Sequence, residues 1–165
     1  MIQVAIVGAG PGGLMVAERL AQDARFAIRL FDAMPSPGRK LLQAGRGGLN
    51  ITHAMPYNLF LAGYGAQQQW LKPWLDVFGP DQVRDWVHSL GIATFVGSSG
   101  RVYPQGMKAA PLLRKWLQRL RHQGVSLLMR HQWQGWEESS SSKQRLKFQT
   151  PDGEQIISAD WVVLA

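Results

Sequence analysis

The sequence predicts an α/β domain built around a parallel β-sheet. Three apolar, largely β-branched stretches have the composition of buried strands: residues 2–7 (IQVAIV), 26–32 (FAIRLFD) and 160–165 (DWVVLA). A glycine-rich turn follows the first stretch, and the apolar spacing after that turn predicts a helix over residues 14–22. A strand, a helix and a second strand in this order are typical of a parallel sheet.

The remaining elements follow from periodicity and turn residues. Helical spacing predicts helices over 67–78, 80–91 and 109–122, with Pro73 either early in its helix or at a kink. Strand and turn patterns predict a hairpin over 92–103, a strand region over 125–138, a turn over 139–142 and a hairpin over 145–158, which together predict a β-meander beside the parallel sheet. Residues 33–65 have no sustained periodicity and are expected to form a long functional loop with at most one short helical turn.

Composition narrows the function. The chain has 165 residues, 45% hydrophobic and 18% charged, which fits one soluble globular domain. The net charge is +7, but the densest basic run lies on the polar face of the helix over 109–122, so a nucleic-acid partner is not expected. The absence of cysteine excludes a disulfide framework, a thiolate zinc site and a redox dithiol. The four histidines have no metal-ligand spacing, so no metal is expected.

Location follows from the apolar stretches. All of them are shorter than the ~20 residues of a membrane span, and no basic segment precedes the first, as it would in a signal peptide. We therefore expect a cytoplasmic protein with no membrane partner.

The motif that carries chemistry is GxGxxG over residues 8–13. It follows a predicted strand, opens a predicted helix and precedes an acid, Asp32, that ends the next strand. Gly8 permits the tight turn, Gly10 lets a pyrophosphate approach the backbone, and Gly13 lets the helix pack on the sheet. The pyrophosphate would meet the positive helix end, where Pro11 is the first residue. Asp32, with Ala33 beside it, would bind a ribose hydroxyl.

The segment after Asp32 favours FAD over NAD(P). A nicotinamide-binding domain would continue with another helix and strand, whereas this chain continues with a glycine-rich, basic loop, MPSPGRKLLQAGRGGLNITH. A flavin needs such additional loop contacts for its second ribose, its phosphates and its ring. The predicted fold is therefore a Rossmann-like FAD-binding domain with a parallel sheet and a β-meander.

The stretch GRKLLQAGRGGLNITH over 38–53 resembles the signature of the BaiN/YhiN-type flavoproteins, which are NAD(P)/FAD-dependent oxidoreductases. The later GRVYP over 100–104 and the Lys108-Ala109 pair are similar to a second family element, and the final strand is similar to the one that enters a further FAD contact. The resemblance covers nearly the whole chain. It departs where Gly48, Leu49 and His53 replace the family's usual Arg, Cys and Asn, which indicates a distinct subgroup.

The resemblance implies FAD as the cofactor, hydride transfer through the flavin as the reaction, and NAD(P)H as a candidate electron donor. The cofactor-binding residues expected from the motif, the loop and the resemblance are Gly8, Gly10, Pro11, Gly13, Asp32, Ala33, Gly38, Arg39, Lys40, Asn50, Trp133 and Ala165. Trp133 is included among these residues because flavoproteins with this arrangement of strands and helices hold adenine near the strand that follows the third helix. No catalytic residue, small-molecule substrate or oligomeric state is predicted.

Because the chain ends within a buried-type strand, we expect residues 1–165 to be the N-terminal part of a FAD-binding domain. On this interpretation a substrate-covering domain and a C-terminal return segment are missing, and the piece alone would be inactive. Two alternatives remain open at this stage. One is an NAD(P)-binding dehydrogenase domain, and the other is a nucleotide-binding regulatory module without turnover.

Overall fold

The computed structural model describes residues 1–138 and 142–165 and confirms the α/β class. The predicted turn over 139–142 therefore lies mostly outside the described residues. The chain divides into two compact units. The sheet unit comprises Met1–Leu41 and Leu117–Ala165, and the helical unit comprises Leu42–Trp116.

The strands are β1 (Ile2–Val7), β2 (Phe26–Asp32), β3 (Thr52–His53), β4 (Thr94–Val96), β5 (Arg101–Pro104), β6 (Ser126–Met129), β7 (Gln132–Trp136), β8 (Gln144–Thr150), β9 (Gly153–Ala159) and β10 (Trp161–Leu164). The helices are α1 (Pro11–Leu20), α2 (Arg39–Ala44), α3 (Tyr57–Ala62), α4 (Gln68–Val77), α5 (Pro80–Ser89) and α6 (Ala109–His122), with a 3-10 turn at Gly65–Gln67. Along the described parts of the chain, no helix is long and apolar enough to cross a membrane.

The sheet unit is organised by a four-stranded parallel sheet in the order β10-β1-β2-β6. The chain first builds outward from β1 to β2 and β6, and it then returns to place β10 on the other side of β1. This reversal puts the carboxyl ends of β1 and β10 side by side. In open parallel sheets such a switch point is where ligands bind.

One face of the parallel sheet is covered by the antiparallel meander β7-β8-β9. Side chains alternate across a strand, so Ala5 and Phe31 point to the same face. There they are fully buried with Leu146 and Phe148, and the rings of Phe31 and Phe148 stack with centroids 4.5 Å apart. The predicted β-meander is confirmed, and it is anchored to the sheet by this aromatic pair.

The opposite face of the parallel sheet is covered by helices. α1 packs against β1 and β2, and its Leu14 is fully buried. Glu18 of α1 is also buried, and its carboxylate pairs with the Arg119 guanidinium of α6 at 2.8 Å. This ion pair joins the last turns of two helices that are distant in sequence.

The helical unit contains the small antiparallel sheet β3-β5-β4 together with α3, α4 and α5. The predicted 92–103 hairpin is confirmed as β4 and β5. Its core includes Val87 and Val102, both fully buried, and an edge-to-face pair of Trp86 and Trp116 with centroids 4.7 Å apart.

The structure corrects one sequence prediction and refines two others. Residues 33–65 are not a continuous loop, because α2, β3 and α3 form there; each is six residues or fewer, too short to show periodicity. Pro73 lies well inside α4, so the predicted position early in the helix is wrong, and the alternative of a kink stays a prediction. The strand region over 125–138 is two strands in different sheets, because Arg130 adopts a left-handed conformation with φ of 60° between β6 and β7.

We expect Arg119→Ala to lower the free energy of unfolding by about 2–3 kcal/mol, because it removes the ion partner of a buried carboxylate; the partial exposure of Arg119 keeps the loss below that of a fully buried pair. Urea denaturation measures the change. The control is Lys72→Ala, which removes the exposed Lys72–Asp76 pair and should change stability far less. Equal losses in the two variants would contradict a structural role for the buried pair.

Candidate cofactor-binding site

The glycine-rich turn lies between β1 and α1 at the switch point of the parallel sheet. Gly8 follows β1 directly and has a φ of 109°, a conformation that residues with a side chain rarely adopt. Its N–H donates to the Phe31 carbonyl at 2.8 Å, and the Leu14 N–H closes the first helical turn on the Gly10 carbonyl at 3.0 Å. The turn is thereby fixed to both the sheet and the helix.

Two glycines of the motif are required by close backbone packing. A Cβ on Gly8 would lie 2.0 Å from the Ala165 carbonyl oxygen, and a Cβ on Gly13 would lie 1.9 Å from the Gly8 carbonyl oxygen. Both of these neighbouring oxygens are backbone atoms rather than the flexible end of a side chain. The predicted roles of Gly8 in the turn and of Gly13 in helix–sheet packing therefore have a direct steric basis.

Gly10 is different, because a Cβ there would meet no protein atom within 4 Å. The open space lies at the N-terminus of α1, where Pro11 occupies the first turn and no side chain caps the helix. The first N–H groups of a helix have no partner inside it, and the helix dipole adds positive potential at this end. The space next to Gly10 can therefore receive an anion such as a pyrophosphate, so the residues present fit the ADP half of FAD.

Asp32 lies beside this turn at the end of β2. One carboxylate oxygen accepts the Ala9 N–H at 2.7 Å, and the other accepts the Met34 N–H at 2.8 Å. A carboxylate offers about four acceptor positions, so each oxygen can take one further donor. Asp32 thus positions the glycine-rich turn and can also bind a ribose hydroxyl.

The loop after β2 folds back onto the glycine-rich turn. The Gly38 N–H donates to the Ala9 carbonyl at 2.8 Å, and Gly38 is buried with a left-handed φ of 68°. Ala33, Arg39 and Lys40 are exposed on this side of the sheet unit, the latter two at the start of α2. Arg39 and Lys40 supply positive charge to a loop whose backbone contacts the turn.

The structure brings most of the predicted residues together at the carboxyl ends of β1, β2 and β10. Ala165 is among them, because its N–H donates to the Val7 carbonyl at 2.9 Å. Trp133 lies on β7 and packs against the buried cluster of Phe31 and Phe148. Asn50 belongs to the helical unit, where its amide donates to the Thr52 carbonyl at 2.7 Å. The cofactor contacts of all twelve predicted residues stay predictions.

Sequence reasoning missed the backbone contacts that join the β2 and β6 loops. The His131 N–H donates to the Asp32 carbonyl at 2.9 Å, and the Arg130 N–H donates to the Met34 carbonyl at 3.1 Å. The bond from the Met34 N–H to the Asp32 carboxylate closes a turn, and an acidic residue at the end of a strand favours such a turn. The sequence therefore contained a signal for this contact. The sequence contains no such signal for the left-handed conformation of Arg130, because only a glycine or an asparagine at this position would have suggested that conformation.

His53 does not offer a free nitrogen for chemistry. Its Nδ1 accepts the Met55 N–H at 3.1 Å, and its Nε2 donates to the Ser99 carbonyl at 3.0 Å. Its ring also lies against Gly100, where a Cβ would be 2.4 Å from His53 Cε1. Within the described residues, no group of three or more His, Cys, Asp or Glu side chains could hold a metal ion.

We expect Gly13→Ala to destabilise the sheet unit by about 3 kcal/mol or more, because the added methyl overlaps a backbone carbonyl that cannot move independently. Thermal and urea unfolding measure this effect. Gly12→Ala is the matched control, since it adds the same methyl one residue earlier with no atom within 4 Å. A loss at position 12 as large as the loss at position 13 would refute the steric explanation.

Solved structures of other proteins share this fold at low sequence identity. The protein THI4 from Thermovibrio ammonificans aligns with a TM-score of 0.59 at 16% identity over 99% of this chain and 57% of its own. The p-nitrophenol 4-monooxygenase PnpA from Pseudomonas putida DLL-E4 aligns with a TM-score of 0.55 at 16% identity over 100% of this chain and 41% of its own. BexE aligns with a TM-score of 0.55 at 16% identity over 100% of this chain and 31% of its own.

The chain therefore spans from about a third to just over half of these proteins. A search of curated protein sequences finds no match. The model of one protein family, described as the HI0933-like protein Rossmann domain, matches residues 2–165. With the glycine-rich turn at the switch point of a parallel sheet, this match over nearly every residue shows that the chain belongs to the HI0933-like Rossmann-domain family, a family of FAD-binding oxidoreductases.

Proposed function

We propose that this chain binds FAD through the ADP half of the cofactor and serves as the cofactor-binding domain of a flavin-dependent oxidoreductase. The observation that carries the proposal is the open space at Gly10, at the N-terminus of α1, between two glycines that are packed against backbone. Other glycines also have no neighbour within 4 Å, but at Gly10 the open space coincides with the uncapped N–H groups at the start of α1. The family membership and the flavoprotein-like loop after Asp32 support the same assignment.

Each part of the site has a defined task in this proposal. The N–H groups at the start of α1 bind the pyrophosphate, and Gly10 allows it to approach the backbone. Asp32 accepts a ribose hydroxyl with the acceptor positions that its bonds to Ala9 and Met34 leave free. Because Asp32 is an acid, it disfavours a ribose that carries a 2′-phosphate. Arg39 and Lys40 add positive charge for the phosphates.

When bound, FAD supplies two-electron hydride chemistry, and we propose NAD(P)H as the electron donor. The chain itself positions the cofactor and sets its electrostatic surroundings. The substrate stays open, because proteins of this fold carry out different reactions: one structural neighbour is a p-nitrophenol monooxygenase, and another is described as a Diels-Alderase.

The second candidate function is binding of NAD(P) by the same turn. NAD and FAD share the ADP half, so the contacts at Gly10 and Asp32 alone do not separate them. The glycine-rich, basic stretch from Gly38 onward favours FAD. A nucleotide-binding module without turnover is the third possibility, and a turnover assay of the full-length protein with a nicotinamide donor distinguishes it from an oxidoreductase.

We expect Gly10→Val to abolish FAD binding while the fold is retained, because the side chain fills space that no protein atom occupies. Titration of the chain into FAD, followed by flavin fluorescence, measures binding, and far-UV circular dichroism with thermal unfolding measures the fold. FAD binding by a folded Gly10→Val variant at the wild-type affinity would contradict the proposal.

A ligand series sharpens this test. FMN carries the flavin and one phosphate but lacks the AMP part, so it should bind far more weakly than FAD, whereas ADP should compete with FAD. Equal binding of FMN and FAD would place recognition on the ring and remove the role of Gly10. Tighter binding of NADH than of FAD would favour the second candidate function.

We expect Asp32→Ala to weaken FAD binding by about 1–3 kcal/mol, the scale of a hydrogen bond to a charged group. The substitution also removes the acceptors of the Ala9 and Met34 N–H groups, so thermal unfolding is measured alongside the titration. Asp152→Ala, in the turn between β8 and β9, is the control for loss of one negative charge. Unchanged affinity in Asp32→Ala would leave Asp32 with a structural role only.

A further inference from the structure

Helix α4 of the helical unit presents its large apolar side chains outward. Trp70, Trp74 and Val77 are 68%, 67% and 76% exposed, and Phe78 at the end of the helix is also exposed. The spacing of Trp70, Trp74 and Val77 places them on one helix face. We call these three residues the α4 stripe. None of the ten residues of α4 is buried.

This face is large for an exposed apolar surface. From the area that aromatic side chains cover, the α4 stripe with Phe78 exposes about 500 Å². That is near the upper end of the largest apolar patch on a typical monomer, and it supplies more than half of the ~800 Å² that each partner contributes to a standard interface. Tryptophan is also among the residues that dominate binding energy at interfaces.

The segment that contains the stripe, from Ala54 to Pro80, carries no net charge, although the chain as a whole has a charge of +7. From Ala54 to Pro80 the only charged side chains are Lys72 and Asp76, and they pair with each other at 2.6 Å. The Tyr57 hydroxyl also donates to Asp76 at 2.6 Å, and this bond raises the pKa of Tyr57 to about 12.

These features favour a second copy of this chain over a strongly charged partner. Two copies with a charge of +7 repel each other, and the neutral α4 region is where they can meet with little repulsion. The stripe is also nearly symmetric about Trp74, so an antiparallel copy places Trp70 opposite Val77 and Trp74 opposite Trp74, as a two-fold interface requires. An anionic membrane would instead call for unpaired basic residues beside the tryptophans.

We propose that the α4 stripe is the interface of a two-fold symmetric homodimer in which the two α4 helices pack antiparallel. The proposal is independent of cofactor binding, because every residue that carries it lies in α4 and the segment around it. It assigns a partner to a surface that the cofactor-binding role does not use.

Sedimentation velocity over a concentration series tests the proposal. We expect the wild-type chain to dimerise and the Trp70→Gln/Trp74→Gln variant to dimerise at least tenfold more weakly, with unchanged circular dichroism. The matched control is Trp136→Gln/Trp161→Gln, which removes two tryptophans of the sheet unit that are about half exposed and should leave the dimer intact. A wild-type chain that is monomeric at every concentration, or a control variant that dissociates equally, overturns the proposal.

A charge-pair experiment tests the antiparallel arrangement and does not depend on the double variant folding. Trp70→Glu and Val77→Lys should each be monomeric alone. Mixed together they should form a heterodimer, because position 70 of one copy then faces position 77 of the other with opposite charges. Failure of the mixture to associate overturns the arrangement. Binding of a monomeric wild-type chain to phosphatidylcholine vesicles would assign the stripe to a lipid surface and overturn the dimer.

Discussion

The site depends on three backbone segments that pack directly against one another, with no side chain between them. Gly8 follows β1 and lies beside the end of β10, and Gly13 of α1 lies against the Gly8 carbonyl. Only because the strand and the helix approach this closely does the first turn of α1 open onto the carboxyl edge of the sheet. A larger residue at either position would displace the helix end, and the open space at Gly10 would be displaced with it.

A second layer of contacts holds the surrounding loops to this turn. Asp32 binds the Ala9 and Met34 N–H groups, Gly38 binds the Ala9 carbonyl, and the loop between β6 and β7 binds the Asp32 and Met34 carbonyls. A loop fixed in this way need not be ordered when a ligand arrives. The conformational entropy of ordering is then part of the folding free energy rather than of the binding free energy.

The sequence predicted the elements with long, uniform patterns and missed those whose signal is short or distant. β1, β2 and β10 are continuous apolar stretches, and the motif from Gly8 to Gly13 constrains its own geometry, so these were predictable. Strand β3 has two residues and exists because Thr52 pairs with Val102, fifty residues away. The split of the 125–138 region depends on the left-handed Arg130. Neither a distant pairing partner nor a left-handed arginine can be read from local periodicity.

Recognition through main-chain groups has an evolutionary consequence. Around the glycine-rich turn, the contributions of Ala9, Met34, Arg130 and His131 are N–H or C=O groups, which every residue except proline can supply in full. The exposed Met34 side chain is therefore free to diverge while its backbone bonds are kept, whereas the buried Ala9, the left-handed Arg130 and the His131 ring against Phe31 are each constrained. A family built on such a site can change the chemistry of its cofactor pocket one side chain at a time, without first rebuilding the structure that holds the cofactor.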